Sequence, residues 1–398
     1  MNKIVQKFGG TTLDTAWKRK IAAKHIQKAI ETNYFPVVVV SAMGRKGFPY
    51  ATDTLVEIAK EDFINIQNRE KDLLMSCGEI ISSVMIVQAL KALGIKGIAL
   101  TGAQAGIITD DNFGETRVQK VNPKRILQSI KNEIVPVIAG FQGISDSGEI
   151  TTLGRGGSDI TACIIAAAID ALFIEIYTDV EGLMTADPSL VKKAKILNRA
   201  SYKEVCELAY QGAKIIHPLA AEIGMNNEIP IEIKSILEGK SGTRIEKEVK
   251  RNQPVTGIAS QNNIVFVKIK PEEKSDYDRG LEVFKILAHE GISVDFINTR
   301  SDEITFIVES LNREKIVNIL ENGKFDFTLL DGYIKVSVVG AGMTGRPGIM
   351  ATIIEVLKRE NISIYQSTDS HISIACLIKK EDEKRAINAL HKAFRLEE

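Results

Sequence analysis

The sequence predicts an α/β protein: a largely parallel, three-layer sheet domain followed by two ferredoxin-like βαββαβ modules. Three observations carry that expectation. Continuous β-branched runs such as Val37-Val38-Val39-Val40 alternate with helical stretches as far as residue 234, and such runs suit strands covered on both faces. Five strand ends are glycine-rich or polar, at 9–12, 41–44, 101–106, 140–143 and 178–182; in open α/β sheets, ligands bind at the carboxyl ends of the strands. Further on, Phe284, Leu287, Glu290, Gly291, Ile292 and Ser293 are answered 70 residues later by Ile354, Leu357, Glu360, Asn361, Ile362 and Ser363, an internal repeat.

In chain order, a strand over 4–8 is broken by Gly9-Gly10-Thr11-Thr12, and a helix follows over 17–31. A strand over 37–40 leads through a polar loop to helices over 53–60 and 70–93. Strands are expected over 98–101, 134–139, 173–177 and 229–234, and helices over 160–171 and 201–212. Ser201 and Glu204 make a capping box for the last of these. Composition shifts after residue 237, which places the end of the first domain at 245 and a linker over 246–253. The repeat units each read strand, helix, strand, strand, helix. Their edge strands want partners, so the pair is read as a small-molecule-binding module, or else as a structural module for dimerisation. Gly340-Ala-Gly-Met-Thr-Gly345 matches G-x-G-x-x-G, but Glu360 falls at a helix end and the repeat is too short for a Rossmann sheet. It is read as a turn at a module edge, not an NAD site.

Lys plus Arg and Asp plus Glu both number 51, so neither nucleic acid nor an anionic membrane is expected as partner. No apolar run is expected to reach membrane-spanning length, and Met1 to Lys7 reads as a strand rather than a signal peptide. Cys77, Cys163, Cys206 and Cys376 lack zinc or CxxC spacing and are expected to be reduced, largely buried thiols of a cytoplasmic protein.

The stretch Gly154-Arg155-Gly156-Gly157-Ser158-Asp159 has the layout of a turn feeding a helix. Free N–H groups at a helix start attract anions, and Arg155 adds a planar fork for a carboxylate or phosphate. An ordinary glycine-rich loop with a solvated Arg and an Asp cap fits the same residues.

Seven spaced motifs decide between these readings: Lys7-Phe-Gly-Gly-Thr-Thr12, Val40-Ser-Ala-Met-Gly44, Ser76-Cys-Gly-Glu79, Leu100-Thr-Gly-Ala-Gln-Ala-Gly106, Gly154 to Asp159, Tyr177-Thr-Asp-Val-Glu-Gly182 and Gly212-Ala-Lys214. With them assembled, the sequence resembles the aspartokinases of the amino acid kinase superfamily. The loop from Gly44 to Asp53 looks most like the Bacillus-type, diaminopimelate-sensitive kind. The resemblance implies an amino acid kinase-like domain over 1–245 and two ACT domains. The first of these, 262–331, would be inserted into the second, formed by 254–261 and 332–398. It also implies ATP and L-aspartate as substrates, 4-phospho-L-aspartate as product, Mg²⁺ arriving on ATP, and a homo-oligomer formed through the ACT domains. The pathway served would lead to lysine and diaminopimelate, threonine and methionine. A carboxylate nucleophile is already ionised at neutral pH, so no general base is required and no metal cage is visible. The task is to hold two anions in line and neutralise them.

By that resemblance Lys7, Arg155 and Asp159 are the catalytic residues. Lys7, Phe8, Gly9 and Gly10 face the phosphates, with the glycine N–H groups cradling them. Thr178, Asp179, Lys214 and Ile215 serve the nucleotide, Lys214 being either a second phosphate ligand or structural. Arg155 takes the α-carboxylate of aspartate and Glu79 its ammonium; by position alone Glu79 also fits a helix-start residue favoured by the dipole. Ser41, Thr52 and Ser158 offer hydroxyls, and Gly156 and Gly157 open the backbone. Asp159 binds the ammonium or caps the helix. Ser293, Val294 and Asp295 hold an amino-acid effector (diaminopimelate, lysine or threonine), unless Asp295 is a turn residue. His217 is read as packing. Two departures stand out: Thr12 replaces the usual Ser, and Ser189 stands where an Arg is common, which would weaken ATP binding if that Arg contacts it. The competing readings are an amino acid kinase with another acyl acceptor, and a catalytically weak amino-acid sensor.

Overall fold

The computed structural model describes residues 1–398 apart from 63–65, 115, 214, 238–240, 271–276, 301 and 398. The chain divides into two compact units. One comprises Met1–Leu183, Ile196–Ala209 and Lys214–Lys250; the other comprises Met184–Lys195, Tyr210–Ala213 and Arg251–Glu398.

The first unit runs β1 (Asn2–Phe8), α1 (Ala16–Glu31), β2 (Tyr34–Val40), α2 (Thr52–Asp62), α3 (Asn68–Lys91), β3 (Gly97–Leu100), β4 (Ile107–Thr109), β5 (Val118–Val121), α4 (Lys124–Lys131), β6 (Val135–Ala139), β7 (Gln142–Ser145), β8 (Ile150–Thr152), α5 (Gly157–Ala168), β9 (Ile174–Thr178), β10 (Arg199–Ser201), α6 (Tyr202–Tyr210), α7 (Pro218–Asn226), β11 (Ile231–Ser235) and β12 (Ser241–Glu246). Eight strands form one sheet in the order β10-β12-β11-β9-β1-β2-β6-β3. Neighbours are parallel except β11 and β12. Strands β2 and β6 are apolar almost throughout because helices cover both faces of the sheet. On one face Ala22, Ala23 and Ile26 of α1 pack with Ile86 and Leu90 of α3 over Val38 and Val40. The expected capping box closes α6: Ser201 N–H donates to Glu204 Oε2 at 2.8 Å, and Glu204 N–H to Ser201 Oγ at 3.3 Å. A second sheet, β5-β4-β7-β8, is built from strands of three or four residues.

Helix α3 corrects the expectation about apolar runs. Among the described residues it is one helix long and apolar enough to cross a membrane. Its buried face nevertheless carries Asp72, Ser76 and Glu79, each tied to a neighbouring loop or strand. That is how a core helix of a sheet protein is satisfied.

The second unit contains β13 (Gly257–Gln261), β14 (Ile264–Lys270), α8 (Tyr277–His289), β15 (Asp295–Thr299), β16 (Ile304–Glu309), α9 (Arg313–Asn322), β17 (Asp326–Leu330), β18 (Tyr333–Val339), α10 (Ile349–Arg359), β19 (Gln366–Asp369), β20 (Ser373–Lys379) and α11 (Glu383–Ala393). Two antiparallel sheets result, β15-β16-β14-β17 and β13-β18-β20-β19. Strand β13, ahead of the first module, pairs with β18 and supplies the fourth strand of the second. Phe266, Phe296 and Ile307 of one sheet pack on Ala375 and Leu377 of the other. The G-x-G-x-x-G segment is pressed against residues 253–256: a Cβ on Gly340 would lie 2.2 Å from the Pro254 carbonyl oxygen. Its glycine answers that close approach, with no nucleotide needed to explain it.

Residues 184–195, inside the span expected to be catalytic, fold with this second unit. Ala186 and Val191 are buried with Ile258 and Leu390, and Thr185 Oγ1 lies 2.8 Å from the buried His391 Nε2. Ser189 donates through its N–H and its hydroxyl to Asp187 Oδ1, at 2.8 and 2.6 Å.

Asp295, expected to meet an effector's ammonium, is ion-paired with Lys335 of β18. The Lys335 side chain is 2% exposed and that of Asp295 59%. The asymmetry sets an expectation. Asp295→Ala strands a buried ammonium and should cost roughly 2 kcal/mol, less than for a fully buried pair because the carboxylate is in water. Lys335→Met removes the charge with its stem volume kept and should cost under about 1 kcal/mol. Urea unfolding of the two variants measures the difference; equal losses would contradict it.

Candidate active site

The parallel register brings three strand ends level. Phe8 stands opposite Val40 on one side and Tyr177 on the other. Backbone bonds continue past the strands: Ser41 N–H to Phe8 O at 3.1 Å, Gly9 N–H to Tyr177 O at 3.3 Å, Gly44 N–H to Gly10 O at 3.0 Å and Gly140 N–H to Val40 O at 3.0 Å. The loops after β1, β2 and β6 therefore leave the sheet side by side. Between them and the start of α5 lies a pocket of about 260 Å³.

Most of the expected residues converge there. Lys7 comes from the end of β1 and Gly10 from the loop after it, and Ser41, Thr52 and Glu79 from the second loop and from α2 and α3. Arg155, Gly156, Gly157, Ser158 and Asp159 come from the turn into α5. Lys7 Nζ lies 2.6 Å from Asp159 Oδ1, both side chains mostly buried. Asp159 is in the first turn of α5, but no side chain caps that helix, so its carboxylate serves Lys7 rather than the cap. Arg155 is exposed at the rim. The N-cap is Gly156, with φ +73°, and a Cβ there would strike the His217 ring at 2.4 Å. His217 thus packs beneath the loop, and burial holds its imidazole below the ordinary range.

Glu79 is 3% exposed. Its Oε1 accepts the Ala42 N–H at 3.0 Å, while its buried Oε2 has no partner. Burial outweighs the Ala42 hydrogen bond and pushes the carboxyl up to about 8. A cationic group entering the pocket would satisfy that oxygen and favour the ionised form.

The expectations for the Phe8 side chain and the Gly9 N–H need correction. Phe8 is fully buried and stacks on Tyr177 with centroids 4.7 Å apart, so its side chain cannot touch a nucleotide. The Gly9 N–H is already spent on Tyr177, which leaves Gly10 at the head of the short 3₁₀ turn Gly10–Thr12. Thr178 and Asp179 do not line the pocket. Asp179 instead accepts from Thr178 Oγ1 at 3.2 Å and from Arg45 at 2.9 Å. Lys214 lies outside the described residues, and Ile215 is half-buried. Cys77 is exposed, unlike the other three cysteines. Four lining residues were missed as site residues, Ala42, Gly44, Phe141 and Gly154. The first three lie within the polar strand ends and Gly154 opens the glycine-rich turn into α5, which were the available signals.

A pocket of paired charges on a parallel sheet, joined to two ferredoxin-like modules, is the build of an amino acid kinase with a regulatory part. Comparison with known proteins agrees. The amino acid kinase family matches residues 2–235, and an ACT domain matches 329–392. The chain is 44% identical to Aspartokinase 1 of Bacillus subtilis (strain 168), over 100% of both proteins. It is 37% identical to the aspartokinase of Geobacillus stearothermophilus, over 100% of this chain and 98% of the other. Among solved structures, aspartate kinase from Synechocystis is 32% identical with a TM-score of 0.56, over 99% of this chain and 69% of that one. E. coli aspartokinase III, solved with aspartate and ADP, shares the fold at a TM-score of 0.83 and 22% identity, over 98% and 99% of the two chains. The chain belongs to the aspartokinases.

The raised Glu79 carboxyl has a measurable consequence. An acid whose folded pKa exceeds its unfolded value, here about 8 against 4.5, stabilises the fold fully below the lower value. That contribution is lost as pH rises through the upper one. Wild type should therefore lose stability relative to Glu79→Gln between about pH 5 and pH 8. Urea midpoints across that range test it, and parallel pH profiles would refute it.

Proposed function

We propose that the protein transfers the γ-phosphoryl group of ATP to the side-chain carboxylate of L-aspartate, giving 4-phospho-L-aspartate and ADP. The observation that carries this reading is the unpartnered Oε2 of buried Glu79, in one pocket with Arg155. An amino acid answers both groups: its ammonium goes to Glu79 and its α-carboxylate to Arg155. The side-chain carboxylate is then the nucleophile, already ionised and in need of no base. A bond forms between a carboxylate oxygen and the γ-phosphorus as the bond to the β–γ bridging oxygen breaks. Lys7, held by Asp159, offsets the charge on the transferring group. Ser158 and the N-terminal turn of α5 add donors that favour anions. Ser41 and Thr52 line the substrate side, and Thr178 and Asp179 serve the nucleotide beyond it.

Mg²⁺ would enter on the phosphates and share in neutralising them. Among the described residues no three His, Cys, Asp or Glu side chains converge on a metal position.

The two ACT modules, 262–331 and 254–261 with 332–398, would bind an end product of the pathway and lower activity. Diaminopimelate, lysine and threonine are the candidates, with the loop at Ser293 and Val294 as receptor. E. coli aspartokinase III, of the same fold, has been solved with lysine and aspartate in a T-state. Edge strands β15 and β19, each paired on one side, would join copies into a homo-oligomer in the cytoplasm.

Four outcomes are expected. A coupled ADP assay should show turnover with aspartate and not with glutamate or N-acetylglutamate. Lys7→Ala should lower kcat by roughly 100-fold, about 2.7 kcal/mol of barrier; survival within about threefold sinks the phosphate assignment. Inhibition by one of the three end products should appear in the same assay, and flat dose responses would end the regulatory reading. Aspartate binding near pH 7 should also release close to one proton, because its ammonium ionises Glu79. Titration calorimetry in buffers of different ionisation enthalpy measures that release, and a buffer-independent heat would contradict it.

A further inference from the structure

Asp72 is as buried as any residue in the protein. Its Oδ2 accepts the Gly114 N–H at 3.0 Å and the Thr152 N–H at 2.9 Å, and its Oδ1 accepts the Thr152 hydroxyl at 2.8 Å. A buried carboxylate met, among the described residues, only by neutral donors is an expensive way to hold a helix to a strand, which apolar contacts do at lower cost. What it adds is direction. Thr152 is gripped by backbone and side chain together, so the end of β8 can neither slide nor rotate against α3.

Two residues beyond Thr152 the chain turns at Gly154, with φ +68°, close to the Gly114 carbonyl oxygen. Arg155 follows. Asp72 thus holds both backbones that flank the departure of the Arg155 loop. Two turns further along the same face of α3, Glu79 takes the Ala42 N–H. Midway between them, the Ser76 carbonyl oxygen accepts Gln142 Nε2 at 2.9 Å. One rigid helix therefore sets the spacing between the group proposed for the α-carboxylate and the group proposed for the ammonium.

The geometry points to Asp72 as a positioning residue for the amino-acid substrate: it places Arg155 against Glu79 and so governs affinity for aspartate rather than for ATP. The inference rests on the proposed function. Lys7 and Gly10 hang from β1, which α3 does not reach through these bonds, so the nucleotide side should be spared.

Steady-state kinetics on the full-length Asp72→Asn and Thr152→Val variants test this. Asp72→Asn keeps the volume but turns an amide N–H₂ toward backbone donors. The KM for aspartate should rise about tenfold or more, with the KM for ATP within about twofold and kcat within about threefold of wild type. Thr152→Val removes only the hydroxyl contact and should raise the aspartate KM about two- to fourfold. A merely structural role would lower the melting temperature and the active fraction with both KM values unmoved, and that result overturns the inference. Equal rises in both KM values overturn it as well. If Asp72→Asn does not fold, Thr152→Val decides alone. Wild-type protein without aspartate turnover would overturn the proposed function and this inference together; wild-type turnover with unmoved aspartate KM in the variants overturns this inference only.

Discussion

Strand β1 is hydrogen-bonded in parallel on both edges, to β2 and to β9, in a register that leaves Phe8, Val40 and Tyr177 level. The rest of the site depends on that constraint. A one-residue slip would turn Lys7 into the core and Phe8 into the pocket, since side chains alternate between faces. The Phe8–Tyr177 stack resists such a slip. With the strand ends fixed, the loops at 9–12, 41–44 and 140–143 exit together, and a pocket forms without any loop needing unusual length.

Within the pocket, each ionisable group has a different kind of partner. Lys7 has a protein carboxylate, Glu79 has one backbone N–H and an unanswered oxygen, and Arg155 faces solvent. The settled pair keeps a cation in place, while the two unsettled groups await a ligand carrying both signs. A free amino acid is the simplest such ligand, and a nucleotide polyphosphate is not. On the proposed function, the amino acid meets the two unsettled groups and the phosphates meet the settled pair.

Much of the fold was legible because the decisive signals are local. Val37 to Val40 read as a buried strand, the repeat betrayed the two modules, and Ser201 with Glu204 marked the start of α6. Strands β4, β5, β7 and β8 were missed because three or four residues are too few to show a period. Helix α7 was missed although Pro218 at its start is a recognised signal. Helix α5 begins at Gly157 rather than Ile160, because the glycines that seemed to break it belong to its first turn. In the site, the residue types were legible but their partners were not. Lys7 with Asp159, Asp72 with Thr152 and Asp295 with Lys335 are joined across 40 to 152 residues of chain, and no spacing rule reaches that far. Phe8 misled for the opposite reason: it lies inside a ligand-binding motif for its backbone position and inside the core for its side chain.

The division of the chain has a consequence for how this protein can be taken apart. Six stretches alternate between the two units, so the backbone crosses from one to the other five times. The segment 184–195 contributes Ala186 and Val191 to a core whose remaining members lie beyond residue 254. Cutting after residue 250 would leave those side chains without a home and bare an apolar patch on the fragment. A boundary drawn at residue 250 therefore divides the sequence without dividing the core, and a boundary that respects the core has to keep 184–195 with the C-terminal unit.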